Sequence, residues 1–136
     1  MFKKGIYVLT FALLSAISLQ GCKNLDKELI TLTNSFLDYY FKVDYTTAGT
    51  FCSDSLAKEL AESLKSLDLL EPTVKEMLIK QSSEVKREIV SVTRADSRDT
   101  ATVHYKIALP DYPSPVENRL IFAKNDKTWK IVSLGK

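Results

Sequence analysis

The sequence predicts an α+β fold, with N-terminal helices packed on one face of a curved four-stranded antiparallel sheet. Two observations carry this. From Leu25 to Leu78 the apolar residues recur at three- and four-residue steps, the period of helices buried along one stripe. From Val85 the period falls to two, and turn residues separate the alternating runs.

The elements follow in order. Leu25, Leu29, Leu32, Phe36, Tyr40 and Val43 mark the stripe of a first helix of about five turns. Asn24 is placed to cap it, and Asp26 and Glu28 favour its dipole. Asp44 to Cys52 reads as a short second helix or turn ending near Gly49, capped by Asp44 with Tyr45 packed beneath. Ser53 or Asp54 caps a third helix through Leu56, Leu60, Leu64 and Leu67. Glu71-Pro72 interrupts it, and Pro72 suits the first turn of a fourth helix carrying Val74, Met77 and Leu78. All these stripes are expected to be core.

In the second half, Arg87 to Arg94 alternates, with Ile89, Ser91 and Thr93 on one face and Val90 and Val92 on the other. Ala95 to Asp99 makes a turn. The next strand, Thr100 to Leu109, lines up Ala101, Val103, Tyr105, Ile107 and Leu109 on one side. Pro110, Pro113 and Pro115 break the pattern. Strands Val116 to Ala123 and Thr128 to Leu134 follow, joined by a turn over Lys124 to Lys127.

Ahead of the domain, Lys3 and Lys4 precede a nearly apolar run from Ile6 to Leu19, the layout of an export signal. At about 14 residues it falls short of the ~20 a spanning helix needs. It ends in Leu19-Gln20-Gly21-Cys22, which resembles the lipobox of bacterial lipoproteins, with Gln20 in place of the usual small or β-branched residue. That resemblance implies a signal peptide over 1–21, cleavage after Gly21, and a diacylglyceryl thioether on Cys22 with palmitate-type acylation of its new amine. Residues 22–23 are then the lipidated Cys and a very short tether, and 24–136 form the domain. The domain would stand outside the cytoplasm, lipid-anchored in a bacterial cell envelope. An uncleaved anchor and an ordinary secreted protein are the competing readings.

Lys3 and Lys4 are the only charged residues in the leader, so removing them brings 19 basic side chains level with 17 acidic ones. A neutral domain lacks the clustered cations that nucleic-acid binding requires. Once Cys22 is acylated, Cys52 is the remaining thiol, and its place after Phe51 at a helix boundary reads as a small buried hydrophobe.

The stretch Phe36 to Tyr40, the run Val43-Asp44-Tyr45 with Ala48, the run Thr100-Ala101-Thr102-Val103, and Asp126-Lys127-Thr128-Trp129-Lys130-Ile131 occur in an order and spacing that spans nearly the whole domain. Together they resemble the nuclear transport factor 2-like, or cystatin-like, superfamily, and within it small bacterial lipoprotein domains of unknown function. The resemblance implies helices filling the concave face of a strongly bent sheet, a cystatin-like cone, on a scaffold that hosts isomerases, dehydratases, ligand carriers and interaction modules, so function must come from the site.

Chemistry is sparse. His104, the sole histidine, alternates with Val103 and Tyr105 and should face away from the apolar side, and no metal-ligand set accompanies it. Asp38, Asp44 and Asp68 are explained as caps or solvated carboxylates, Asp38 as solvated. No nucleophile triad, Cys/His cluster or glycine-rich phosphate loop occurs, and no cofactor is implied. The candidate pocket residues are Tyr39, Tyr40, Tyr105 and Trp129, which serve equally as core with hydroxyls at the rim. Tyr112, in a proline-stiffened loop, is a candidate interaction anchor or simply part of a rigid connection. The expected role is a non-catalytic, membrane-anchored module for a protein partner or a small apolar ligand, with a homodimer left open. The alternative is an isomerase- or dehydratase-like enzyme with a buried Asp or Tyr.

Overall fold

The computed structural model describes residues 26–135, so Cys22, Lys23 and the expected cap Asn24 lie outside the described residues. Four helices come first: α1 (26–41), α2 (Tyr45–Ala48), α3 (Asp54–Asp68) and α4 (Pro72–Ser83), with a 3-10 turn at Gly49–Phe51. Strands β1 (Lys86–Arg94), β2 (Thr100–Ala108), β3 (Val116–Asn125) and β4 (Thr128–Ser133) then form one antiparallel sheet in sequence order. The fold is α+β, helices followed by a meander.

Local chemistry explains most boundaries. The Asp44 carboxylate accepts from the Thr47 N–H at 3.2 Å and starts α2, and the Ser53 hydroxyl accepts from the Leu56 N–H at 3.4 Å and starts α3. Pro72 stands in the first turn of α4, where no N–H is needed. α1 ends in a Schellman pair: the Val43 N–H donates to the Tyr40 carbonyl and the Asp44 N–H to the Tyr39 carbonyl. Val43 therefore closes the helix at φ 63°, a left-handed conformation in which a β-branched side chain is strained. The β3–β4 turn is tighter than expected. Pairing continues to Asn125–Thr128, leaving Asp126 and Lys127 at φ 48° and 70° as the two central residues of a type I′ turn.

One face of the sheet carries the core. Ala101, Val103 and Tyr105 of β2, Leu120 and Phe122 of β3, and Trp129 and Ile131 of β4 pack with Leu29, Phe36 and Leu37 of α1 and Leu56 and Leu60 of α3. Each large apolar side chain so buried contributes roughly 1.5–3 kcal/mol relative to exposure. Thr33, fully buried on α1, satisfies its hydroxyl on the Leu29 carbonyl at 2.8 Å.

The simple alternation expected for β1 is corrected by the pairing. Ile89 faces Tyr105 and Ser91 faces His104, so Val90 is the extra residue of a β-bulge. Ile89 and Val92 consequently pack on the same core, whereas Val90 is exposed. A second register shift, between the pairs Ile121–Ser133 and Phe122–Ile131, likewise leaves Val132 exposed. The bulge also puts Arg87 and Arg94 within reach of α1. Arg94 pairs with Asp26 at 2.5 Å, and Arg87 pairs with Asp38 and donates to the Asn34 carbonyl at 3.3 Å. Asp38 is thus ion-paired at the surface, not merely solvated, and α1 runs antiparallel to β1.

The expectation that every apolar stripe is core fails for α4. No residue from Ala61 to Thr100 is buried, and Val74, Met77 (52% exposed) and Leu78 face outward. The cause is the break at Leu70-Glu71-Pro72, which starts α4 on a new axis after α3 has made its last core contact at Leu60. The joint between the two helices is held by Lys75 and Asp68 at 2.5 Å.

Relieving the strained αL residue at the end of α1 should stabilise the domain. Val43→Gly is expected to raise stability by about 0.5–1 kcal/mol, after the entropy Gly adds to the unfolded chain is subtracted. Urea unfolding checks it: the midpoint rises with an unchanged slope.

Candidate functional site

The cleft with the most concentrated chemistry lies where the last turn of α1 meets the middle of the sheet. Tyr40 hangs from α1 between Phe36 and Tyr45, its ring stacked at 5.4 Å on the first and 5.2 Å on the second. Phe41 meets it edge-on at 5.4 Å. Across from them Tyr105 points inward from β2, 3% exposed, and its register partner on β3 is Asn118. Leu134 and Gly135, just past β4, close the remaining side. All of these but Tyr45, together with Ile107 of β2, line a cleft of about 240 Å³.

Gly135 is needed there. It sits at φ +86°, and a Cβ would stand 2.6 Å from the Arg119 carbonyl oxygen and 2.9 Å from Asn118 Oδ1. The backbone at Gly135 therefore lies directly on β3.

The polar groups of the cleft are two phenols and an amide. Burial pushes the Tyr105 hydroxyl up to about 12, with the neighbouring Tyr40 adding to the effect. Tyr40 is also raised, chiefly by burial, partly offset by a hydrogen bond with the Tyr45 hydroxyl. Tyr45 is raised as well, first by burial and then by Tyr40. At neutral pH these phenols stay protonated and serve as hydrogen-bonding groups, and among the described residues no carboxylate or imidazole lines the cleft with them.

The four candidate pocket residues do not form one site. Tyr40 and Tyr105 meet, while Tyr39, one helical step of 100° away, lies outside at 36% exposed and stacks on Phe51 at 6.1 Å. Trp129 is core, 5% exposed, with its indole N–H buried and unpartnered and the Lys124 ammonium 5.8 Å over its ring. Tyr112 is 64% exposed in a separate cleft of about 340 Å³ beside Gln81 of α4 and Glu84, the residue that caps it. His104 lies with Ser91 and Glu117 in a depression on the other side of the sheet. Cys52 is buried, its Sγ 3.5 Å from the Ala48 carbonyl, and burial drives the thiol up to about 12 despite Lys130 nearby.

Phe41, Asn118 and Gly135 were not singled out from the sequence. Asn118 becomes visible once β2 and β3 are paired, because it stands opposite Tyr105. Among the described residues no cluster of three or more His, Cys, Asp or Glu could hold a metal, and no helix is long and apolar enough to cross a membrane. The sequence matches no known family model and no curated protein.

The raised groups set the alkaline limit of the fold. Each is neutral when protonated and has a folded value above its ordinary one, so its contribution is present below the ordinary value and lost as pH rises toward the folded one. Loss begins near 9.0 for Cys52 and near 10.0 for Tyr105, and is complete near 12 for both. Urea midpoints should fall from pH 9 to 11. In Tyr105→Phe the part of the fall above pH 10 should shrink while that below it persists.

Proposed function

We propose that this protein is a lipid-anchored, non-catalytic binding module of the bacterial cell envelope, holding a small, neutral, largely apolar ligand between α1 and the sheet. The membrane attachment rests on the leader, with its basic start, short apolar run and Leu19-Gln20-Gly21-Cys22 processing pattern. Two or three long acyl chains at Cys22 would retain the domain without help from protein charge, at ~0.8 kcal/mol per buried CH₂. The helices-then-meander order favours a nuclear transport factor 2-like domain as the scaffold.

One observation carries the binding reading. Tyr40, Tyr105 and Asn118 converge in an aromatic cleft whose titratable groups are pushed toward permanent neutrality. A general base needs a group poised near working pH, and an isomerase or dehydratase needs one beside its hydrogen-bond donor. The cleft instead offers apolar walls with a few neutral polar groups, the make-up of a carrier site. A charged ligand would lose its hydration there without gaining a counter-charge. Its volume suits a compact molecule, because drug-sized ligands occupy roughly 300–1,000 Å³.

Two variants separate the parts of this reading. Cys22→Ser should move the protein from the membrane to the soluble fraction and remove the acyl mass from its N-terminal peptide; an acylated, membrane-bound product would refute the anchor. Ile107→Trp, on the cleft wall, should fill the space. Native mass spectrometry of detergent-extracted protein should then show a retained small molecule on the wild type and at least tenfold less on the variant, with the far-UV circular dichroism unchanged. An empty wild-type cleft in protein taken directly from membranes would count against the ligand.

A further inference from the structure

We propose that the anchor fixes which end of the domain faces the lipid: the end formed by the start of α1, the β1–β2 turn and the β3–β4 turn lies against the bilayer, and the Tyr112 loop with the end of α4 points away. This rests on the lipidation of Cys22 and adds the fold to it.

The argument is one of lengths. Asp26 is four residues after Cys22, so its backbone lies within about 14 Å of the acylated residue however those residues are arranged. Asp26 is held to Arg94 at 2.5 Å, at the last residue of β1. The turns beside it belong to the same end, because the Lys124 N–H donates to the Asp99 carbonyl at 2.8 Å. The opposite end is equally well marked. Lys86, the first residue of β1, pairs with Ala108, the last of β2, and the loop beyond carries Tyr112 next to Gln81 and Glu84 at the end of α4. Nine residues of strand separate the two ends, roughly 25 Å at 3.3 Å per step. Standing the Tyr112 end on the lipid would lift Asp26 farther than its tether reaches.

Charge does not compete with this constraint. Around the near turns, Arg98, Lys124 and Lys127 are balanced by Asp96, Asp99 and Asp126. Tether length therefore excludes the inverted orientation, and with the near turns balanced in charge the proposed one should be insensitive to salt. It also means that the exposed Tyr112 cleft opens toward the aqueous compartment, away from the headgroups.

Lipidated protein in phosphatidylcholine–phosphatidylglycerol vesicles with a headgroup energy acceptor provides the test. A donor dye is placed at Ser97→Cys or Tyr112→Cys, both exposed, while Cys52 stays unlabelled because it is buried. Transfer should be much stronger from position 97, corresponding to a height difference of roughly 25 Å, and should survive about 0.5 M salt. Inserting about 20 Gly/Ser residues after Lys23 should erase the difference. Equal transfer from the two positions means the domain lies flat, and reversal means it is inverted; either result overturns the proposal, as does a difference that persists with the long linker. Failure of the anchor is seen separately, as protein that carries no acyl mass and does not float with the vesicles; the orientation then falls with it.

Discussion

The β-bulge at Val90 decides where most of the molecule goes. Side chains alternate along a strand, so one extra residue reverses the face of everything beyond it. Because Val90 absorbs that residue, Ile89 and Val92 both pack inward, and Arg87 and Arg94 both reach α1 from the same face. Those arginines meet carboxylates twelve residues apart on the helix, and that fixes α1 along the edge strand with its start beside Arg94. Tyr40 then falls over the middle of the sheet, where Tyr105 and Asn118 already face each other in register. A regular β1 would send Val92 and Arg94 outward, leaving α1 without its anchor near Asp26. Each ion pair is partly exposed and is worth only about 0.2–1 kcal/mol. Their role is register, while the buried face of α1 supplies most of the energy.

Much of this was legible in the sequence wherever a local rule determines the outcome. The caps at Asp44 and Ser53, Pro72 at a helix start, the change of period near Val85 and the inward set Ala101, Val103 and Tyr105 each depend on a few neighbouring residues. The bulges are different. Nothing in Arg87 to Arg94 distinguishes an extra residue from a regular one until the partner strand is counted against it. The stripe of α4 misled for a related reason, since helical periodicity reports that a face is apolar and says nothing of whether another element arrives to cover it. Of the site, Tyr40 and Tyr105 were legible as aromatics on facing elements. Asn118 and Gly135 were not, because their place depends on the register across a seven-residue connection and on the chain passing within a Cβ radius of β3.

The cleft and the core beside it show how the fold handles polar atoms it buries. Tyr40 and Tyr45 stay partly exposed as a stacked pair, and Thr33 bonds back to its own helix. Trp129 does not: its indole N–H has no partner, a cost on the order of 1–3 kcal/mol. That cost is outweighed by the size of the ring, which fills the sheet's end beneath Lys124 and would leave a large void if truncated, at about 3–5 kcal/mol. Packing decides at Trp129, and the hydrogen bond back to the helix decides at Thr33.

These energies are unevenly distributed along the chain. Among the described residues, every buried one lies in α1, α2, the short link to α3, the first half of α3 or strands β2 to β4, while none lies between Ala61 and Thr100. The intervening stretch, the end of α3 with α4 and β1, holds to the rest through partly buried apolar contacts at Ile89 and Val92, the β1–β2 ladder and the two arginine pairs. Local opening free energy follows buried contact, so this stretch should open well before the core does. The aromatic cleft belongs to the stable part, since Phe36 and Tyr105 are both buried in the central cluster. The Tyr112 cleft draws one wall from α4 and so belongs to the labile part. A ligand in the first would meet a preformed wall, whereas any partner at the second would have to order part of the surface it binds, at an entropic cost the aromatic cleft has already met in folding.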